Sequence, residues 1–188
     1  MAIGHTGEGQ TISNLEESSR EARVCRQFID VARNVLLRGF DWNFARRPDV
    51  SLALVGKELH PDWNFGYAYP RDCLQLRAVG DDRPYNRMLW RDGQQIILSN
   101  EEKATASYTS SDLRDNYFDD FGLAWSYDLA ILIAPSVTEG NIRTLLTSLE
   151  MQRKMAMDKA IENDANEESP PSEQSPAINA GGFIGIYP

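Results

Sequence analysis

Hydrolytic, nucleophilic and metal chemistry is built from histidines, cysteines and paired carboxylates, and this chain spaces few of them usefully. Its two histidines are His5, in a Gly- and Thr-rich N-terminus, and His60, beside Pro61, with no Ser or Cys motif around either. Cys25 and Cys73 stand alone, without a CxxC pair or a companion His cluster, so they read as small core residues rather than a disulfide frame or a zinc site. Glycosidic hydrolysis needs two carboxylates about 5–10 Å apart, and aromatic cleft walls suit its sugar substrate. Asp62 beside Trp63, or Asp119 near Trp125, supplies one half, and no spacing supplies the pair. Asp119–Asp120, Glu101–Glu102 and Glu167–Glu168 are sequence neighbours that point apart on a helix or strand, which makes them solvated surface charge. Gly4 and Gly7 lack the lysine and the strand of a phosphate cradle. No catalytic residue, cofactor or metal ligand is implied.

Two other groups of residues suit binding. Trp63, Phe65, Tyr67 and Tyr69 alternate and would stack on sugars or bases, although such a face more often packs against helices as core. Arg20, Arg23, Arg26 and Arg33 would suit phosphate, but Glu16, Glu17, Glu21 and Asp30 among them favour a mixed, salt-bridged helix face.

The elements that carry these residues follow from periodicity. Ala22, Cys25, Phe28, Ile29, Ala32, Val35 and Leu36 recur at steps of three and four and predict an amphipathic helix. Ser18 with Glu21 marks its start, Ser13 with Glu16 offers an earlier one, and Gly39 ends it in a left-handed conformation. From Asp41 the period changes to two. Trp42 to Leu54 predicts two strands around a Pro48–Asp49 turn, Trp63 to Tyr69 a third, and Leu74 to Ala78 a fourth. Asp92–Gly93 between Met88–Arg91 and Gln94–Leu98 signals a type I′ hairpin, and Ala104–Thr109 a last strand. A second helix from Phe118 stops at Pro135, with its Leu129–Ala134 stretch buried on two sides. A third, capped by Thr138, runs to about Ala165.

The expected fold is therefore α+β: a layer of three main helices with a small, mostly antiparallel sheet inserted between the first and second. Residues 1–17 form a flexible N-terminal segment, 18–165 one domain and 166–188 an extended C-terminal arm. At 188 residues with 41% hydrophobic content the chain suits a single core. Its formal charge of −9 disfavours a free surface that grips nucleic-acid phosphate. No apolar run approaches the roughly 20 residues that span a bilayer, and MAIGHTGEGQ lacks the pattern of a secretory signal, so no membrane partner is expected. Past Asn166, EESPPSEQSP has no apolar residue, and AINAGGFIGIYP then places Ile178, Phe183, Ile184, Ile186 and Tyr187 at the end of a polar leash. That pattern suits a segment that orders on a partner.

Three stretches, EARVCRQF (21–28), VLLRGFDWNFARR (35–47) and DWNFGYAYPRDCLQL (62–76), closely resemble the tail tubular protein A family, the head-to-tail adaptors of short-tailed bacteriophages. The resemblance runs from about Ile12 to the acidic exit DANEESPP (164–171) and is weakest at Gly80–Asn86 and in the final AGGFIGIYP. It implies a structural virion protein: a ring of twelve copies joining the portal protein to the tubular tail nozzle and lining part of the DNA ejection channel. Double-stranded DNA would pass through without specific binding, and the protein would reside in the host cytoplasm during assembly and in the virion afterwards. On that reading Ile178, Phe183, Ile184, Ile186 and Tyr187 dock on the portal, and the hairpin tip Trp90, Arg91, Asp92 and Gly93 faces the nozzle. The alternatives are a tail-associated polysaccharide hydrolase and a head-completion protein of another architecture.

Overall fold

The computed structural model describes residues 1–7, 12–113, 117–138 and 141–166. They form an α+β fold of four helices and two antiparallel sheets. A short helix α1 (Ala2–His5) precedes the long α2 (Arg20–Gly39). Seven strands follow: β1 (Arg46–Ser51), β2 (Leu54–His60), β3 (Trp63–Ala68), β4 (Cys73–Val79), β5 (Tyr85–Leu89), β6 (Gln95–Ser99) and β7 (Thr105–Ser110). Helices α3 (Asp119–Val137) and α4 (Ile142–Asn166) complete the described chain.

Ser19, not Ser18, caps α2, its hydroxyl accepting the Ala22 N–H at 3.3 Å. The helix buries Ala22, Cys25, Ala32, Leu36 and Leu37. Val35, expected on that face, is turned to solvent together with Val31. Gly39 does not take the left-handed conformation: the helix stops because Phe40 turns directly into extended backbone (φ −141°, ψ 157°). This frees Trp42 to drop into the core, fully buried, with its indole N–H donating to the Leu36 carbonyl at 3.1 Å. Residues Asn43–Ala45 form a 3-10 turn rather than the start of a strand.

The single small sheet of the sequence reading is in fact two. One has the order β1-β7-β4, the other β2-β3-β6-β5. Pro48–Asp49 is no turn between strands; it lies within β1, where the register shifts between Arg47 and Val50 and Asp49 takes φ +48°. Proline fits there because β1 is an edge strand, paired only with β7, and the bulge absorbs the missing donor. The sheets share one core of Tyr67 from β3, Leu76 and Val79 from β4, Ile97 from β6, and Ala106 and Tyr108 from β7. The Phe65–Tyr69 side of β3 therefore packs sheet against sheet, not against helices. On the other face Gly66 leaves room for Leu59, whose Cδ1 lies 2.5 Å from where a Cβ would stand.

Helix α3 packs between α2 and α4. It buries Phe121, Ala124, Leu129, Ala130, Ile133, Ala134 and Val137, consistent with its being apolar on two sides. Pro135 lies inside its last turn and does not stop it. Pro135 is exposed, on the side of the helix where the bond its missing N–H cannot make to the Ile131 carbonyl costs least. Thr138 ends α3, donating its backbone N–H to the Ala134 carbonyl, and Asn141 takes over the expected capping role by accepting from Thr144 N at 3.4 Å. A second core unites the layers: Leu36, Leu37 and Trp42 with Phe121 and Ala124 of α3 and Ala156 and Ala160 of α4.

Candidate functional site

The features that stand out are surfaces. The expected hairpin exists, with β5 paired antiparallel to β6 and Leu89 opposite Gln95. Its turn is longer than a two-residue type I′ loop. Arg91–Gly93 form a 3-10 turn, closed by Trp90 N–H donating to the Gln94 carbonyl at 2.6 Å, with Gly93 at φ +73°. The Arg91 guanidinium stacks over the Trp90 ring at 5.4 Å. Leu89 beside them is 67% exposed on a strand that pairs on one side only. Trp90, Arg91 and Gly93 thus stand at the end of an open sheet edge, a geometry that accepts a partner strand or an apolar contact. The side chain of Asp92 and the residues Ile178, Phe183, Ile184, Ile186 and Tyr187 lie outside the described residues.

A second surface joins residues that the sequence scatters. Arg38 at the end of α2, Arg71 in the β3–β4 turn and Arg87 on β5 line one groove of about 780 Å3 with Tyr69, Gln94 and Gln95. All three arginines are exposed. Burial pushes the Tyr69 hydroxyl up to about 12, assisted by Cys73 and opposed by Arg87. The groove concentrates positive charge in a chain of −9 and suits a carboxylate-bearing partner. Its arginines span some fifty positions; the pairing of β3 with β6 and of β6 with β5 brings Arg71 to Arg87, and the packing of α2 on β4 adds Arg38, so no linear motif announced it.

The candidate chemical residues are put to structural use. His5 stacks on Tyr127 (centroids 4.1 Å apart) and hydrogen-bonds Ser126 Oγ at 3.0 Å, docking α1 on α3 where the sequence suggested a flexible segment. Burial, helped by the N-terminal ammonium, lowers its proton affinity. His60 Nδ1 accepts the Asp62 backbone N–H at 3.2 Å in the β2–β3 turn. Asp119 and Asp62 lie on different elements, one opening α3 and the other in that turn. Asp120 pairs with Lys159 at 3.3 Å and holds Asn163, tying α3 to α4. Asp128 does the same further along, 2.5 Å from Arg153 Nε; burial raises its carboxyl affinity for a proton against the pull of that arginine. Asp72 accepts from Ser110 Oγ at 2.7 Å and Tyr108 Oη at 3.1 Å. Although burial pushes the Asp72 carboxyl up, those bonds outweigh it and hold it below the usual range. Among the described residues no three His, Cys, Asp or Glu side chains converge as a metal site.

The helical layer has a further property. Outer helices α2 and α4 each present an i,i+4 apolar pair to solvent: Val31 and Val35 (49% and 54% exposed) on one, Met151 and Met155 (60% and 62%) on the other. Comparison with protein-family models and with curated proteins finds no match to either.

Proposed function

We propose that this chain is a structural subunit of a phage head-to-tail adaptor ring, joining the portal to the tail nozzle around the path of the DNA. The observation that carries the reading is the pair of unlike apolar faces on α2 and α4, with α3 between the two helices. Contact between two different surfaces of identical chains is heterologous; it repeats head to tail and closes into a ring when the rotation per step allows. Val31 and Val35 of one copy against Met151 and Met155 of the next is such a contact.

Further support comes from the motif residues. Trp42, Asn43 and Phe44, at the heart of the stretch that resembles tail tubular protein A, bind the turn that leads into β1 to all three long helices. Their role is mechanical, which suits a load-bearing adaptor. Charge points the same way: twelve copies at −9 each carry −108, so a lumen bearing part of that charge repels DNA phosphates and lets the duplex slide. In this reading Ile178, Phe183, Ile184, Ile186 and Tyr187 anchor on the portal, the Trp90–Gly93 hairpin meets the nozzle, and the arginine groove takes carboxylates from a neighbouring protein. The virion is its destination and the host cytoplasm its place of assembly.

The interface can be tested by complementation. Val35→Asp spoils only the α2 face and Met155→Asp only the α4 face. Under conditions in which the unaltered chain forms rings, each variant alone should stay monomeric by sedimentation. Their mixture should stop at a heterodimer, since one intact face of each remains. Rings from either variant alone would refute this interface.

A further inference from the structure

Residues Met1–Gly4, the N-terminal half of α2 and the first half of α3 enclose a cleft of about 790 Å3. Its walls include Ile3, Cys25, Ile29, Leu123, Trp125 and Leu129, so water gains little there and an apolar occupant gains much. The end of α4 reaches its rim: Asp120, which lines the cleft, binds both Lys159 and Asn163. Helix α4 ends three residues later at Asn166, and 22 residues then remain to Pro188. Sixteen of them separate Asn166 from Phe183. A random chain of that length spans about 20–25 Å on average and at most about 55 Å when extended. The side chains at its end, Phe183, Ile184, Ile186 and Tyr187, are apolar or aromatic and carry no formal charge.

We propose that this cleft is the seat of the chain's own C-terminal tip, with Phe183 and Ile184 as the inserted pair. Tethering supplies an effective concentration of about millimolar, so a site too weak to hold a free peptide is still filled in cis. The seat rests on the cleft and the tether, not on the adaptor reading. If that reading also holds, the portal competes for the same tip, and an unassembled subunit keeps its sticky end covered until a portal takes it.

The test uses the full chain in isolation. With p-benzoylphenylalanine in place of Phe183, irradiation at low micromolar concentration should give adducts within one chain, mapped by mass spectrometry to the cleft walls at residues 1–15, 25–29 and 117–129. Adding Ile184→Asp and Ile186→Asp, which alter only the tip, should cut their yield at least five-fold. Adducts elsewhere on the chain would overturn the proposal, as would adducts formed only between chains. An adduct yield unchanged by the tip substitutions would also overturn it, because proximity alone would then explain the map. Portal binding enters none of these readouts, so the adaptor reading fails or holds separately.

Discussion

Asp164 and Asn43 grip each other across 121 residues of chain. The Asp164 carboxylate accepts the Asn43 backbone N–H at 3.1 and 3.0 Å, while Asn43 Nδ2 donates to the Asp164 carbonyl at 3.0 Å. That carbonyl belongs to the last described turn of α4. A carboxylate at a helix C-terminus opposes the helix dipole, and Asp164 is only 1% exposed, so its position is sustained by what it binds. One contact thereby locks the end of the last helix to the turn that leads into the sheets.

Removing the carboxylate leaves the Asn43 N–H without this acceptor. Asp164→Ala is expected to cost about 1.5–3 kcal/mol, the range for hydrogen bonds to a charged group, seen as a lower urea midpoint with unchanged slope. Asp164→Asn retains one acceptor oxygen and should cost less than the alanine variant.

The docking of α1 should weaken in acid. Burial lowers the folded-state affinity of His5 for a proton below the unfolded value, so the folded state prefers neutral imidazole. Its contribution is therefore complete above the ordinary histidine value and is lost as pH falls through the lowered one. Protection of the amides at residues 2–6, corrected for the intrinsic pH effect, should fall as pH drops below the ordinary histidine value. Exchange in β6, whose Ile97 packs in the sheet core, should not show that fall. His5→Gln should flatten the response.

Gly66 is crowded by the tip of the Leu59 side chain. A methyl group there meets Leu59 Cδ1 at 2.5 Å, inside van der Waals contact, in the centre of β3. Gly66→Ala should destabilise by about 1–3 kcal/mol, the usual cost of overpacking. Leu59→Ala combined with it should recover part of that loss in thermal unfolding, because it removes the atom that clashes.

Much of the fold was legible because period and face agree. Trp63, Phe65, Tyr67 and Tyr69 alternate, and Phe65–Tyr69 face the shared sheet core. The helices of 20, 19 and 25 residues lie close to where three- and four-residue spacing puts them. The departures at proline share a cause: a punctuating residue takes its meaning from its tertiary setting. Pro48 fits inside β1 because that strand is an edge, and Pro135 fits inside α3 because its side faces water. Val35 satisfied the apolar spacing of α2 yet lies outside, because the buried face rotates toward Leu36 and Leu37 where Trp42 fills the core. Long-range assembly was illegible. Nothing local in Arg38, Arg71 and Arg87 shows that they meet, nor that the DWNF turn closes on Asp164.

The most direct test of the adaptor account is negative-stain imaging with solution mass of this chain, alone and mixed with the portal protein which that account assigns to it. The account predicts a discrete ring-on-ring complex in the mixture, with twelve copies of this chain per portal. A mixture in which the two proteins stay separate at every salt concentration would contradict it.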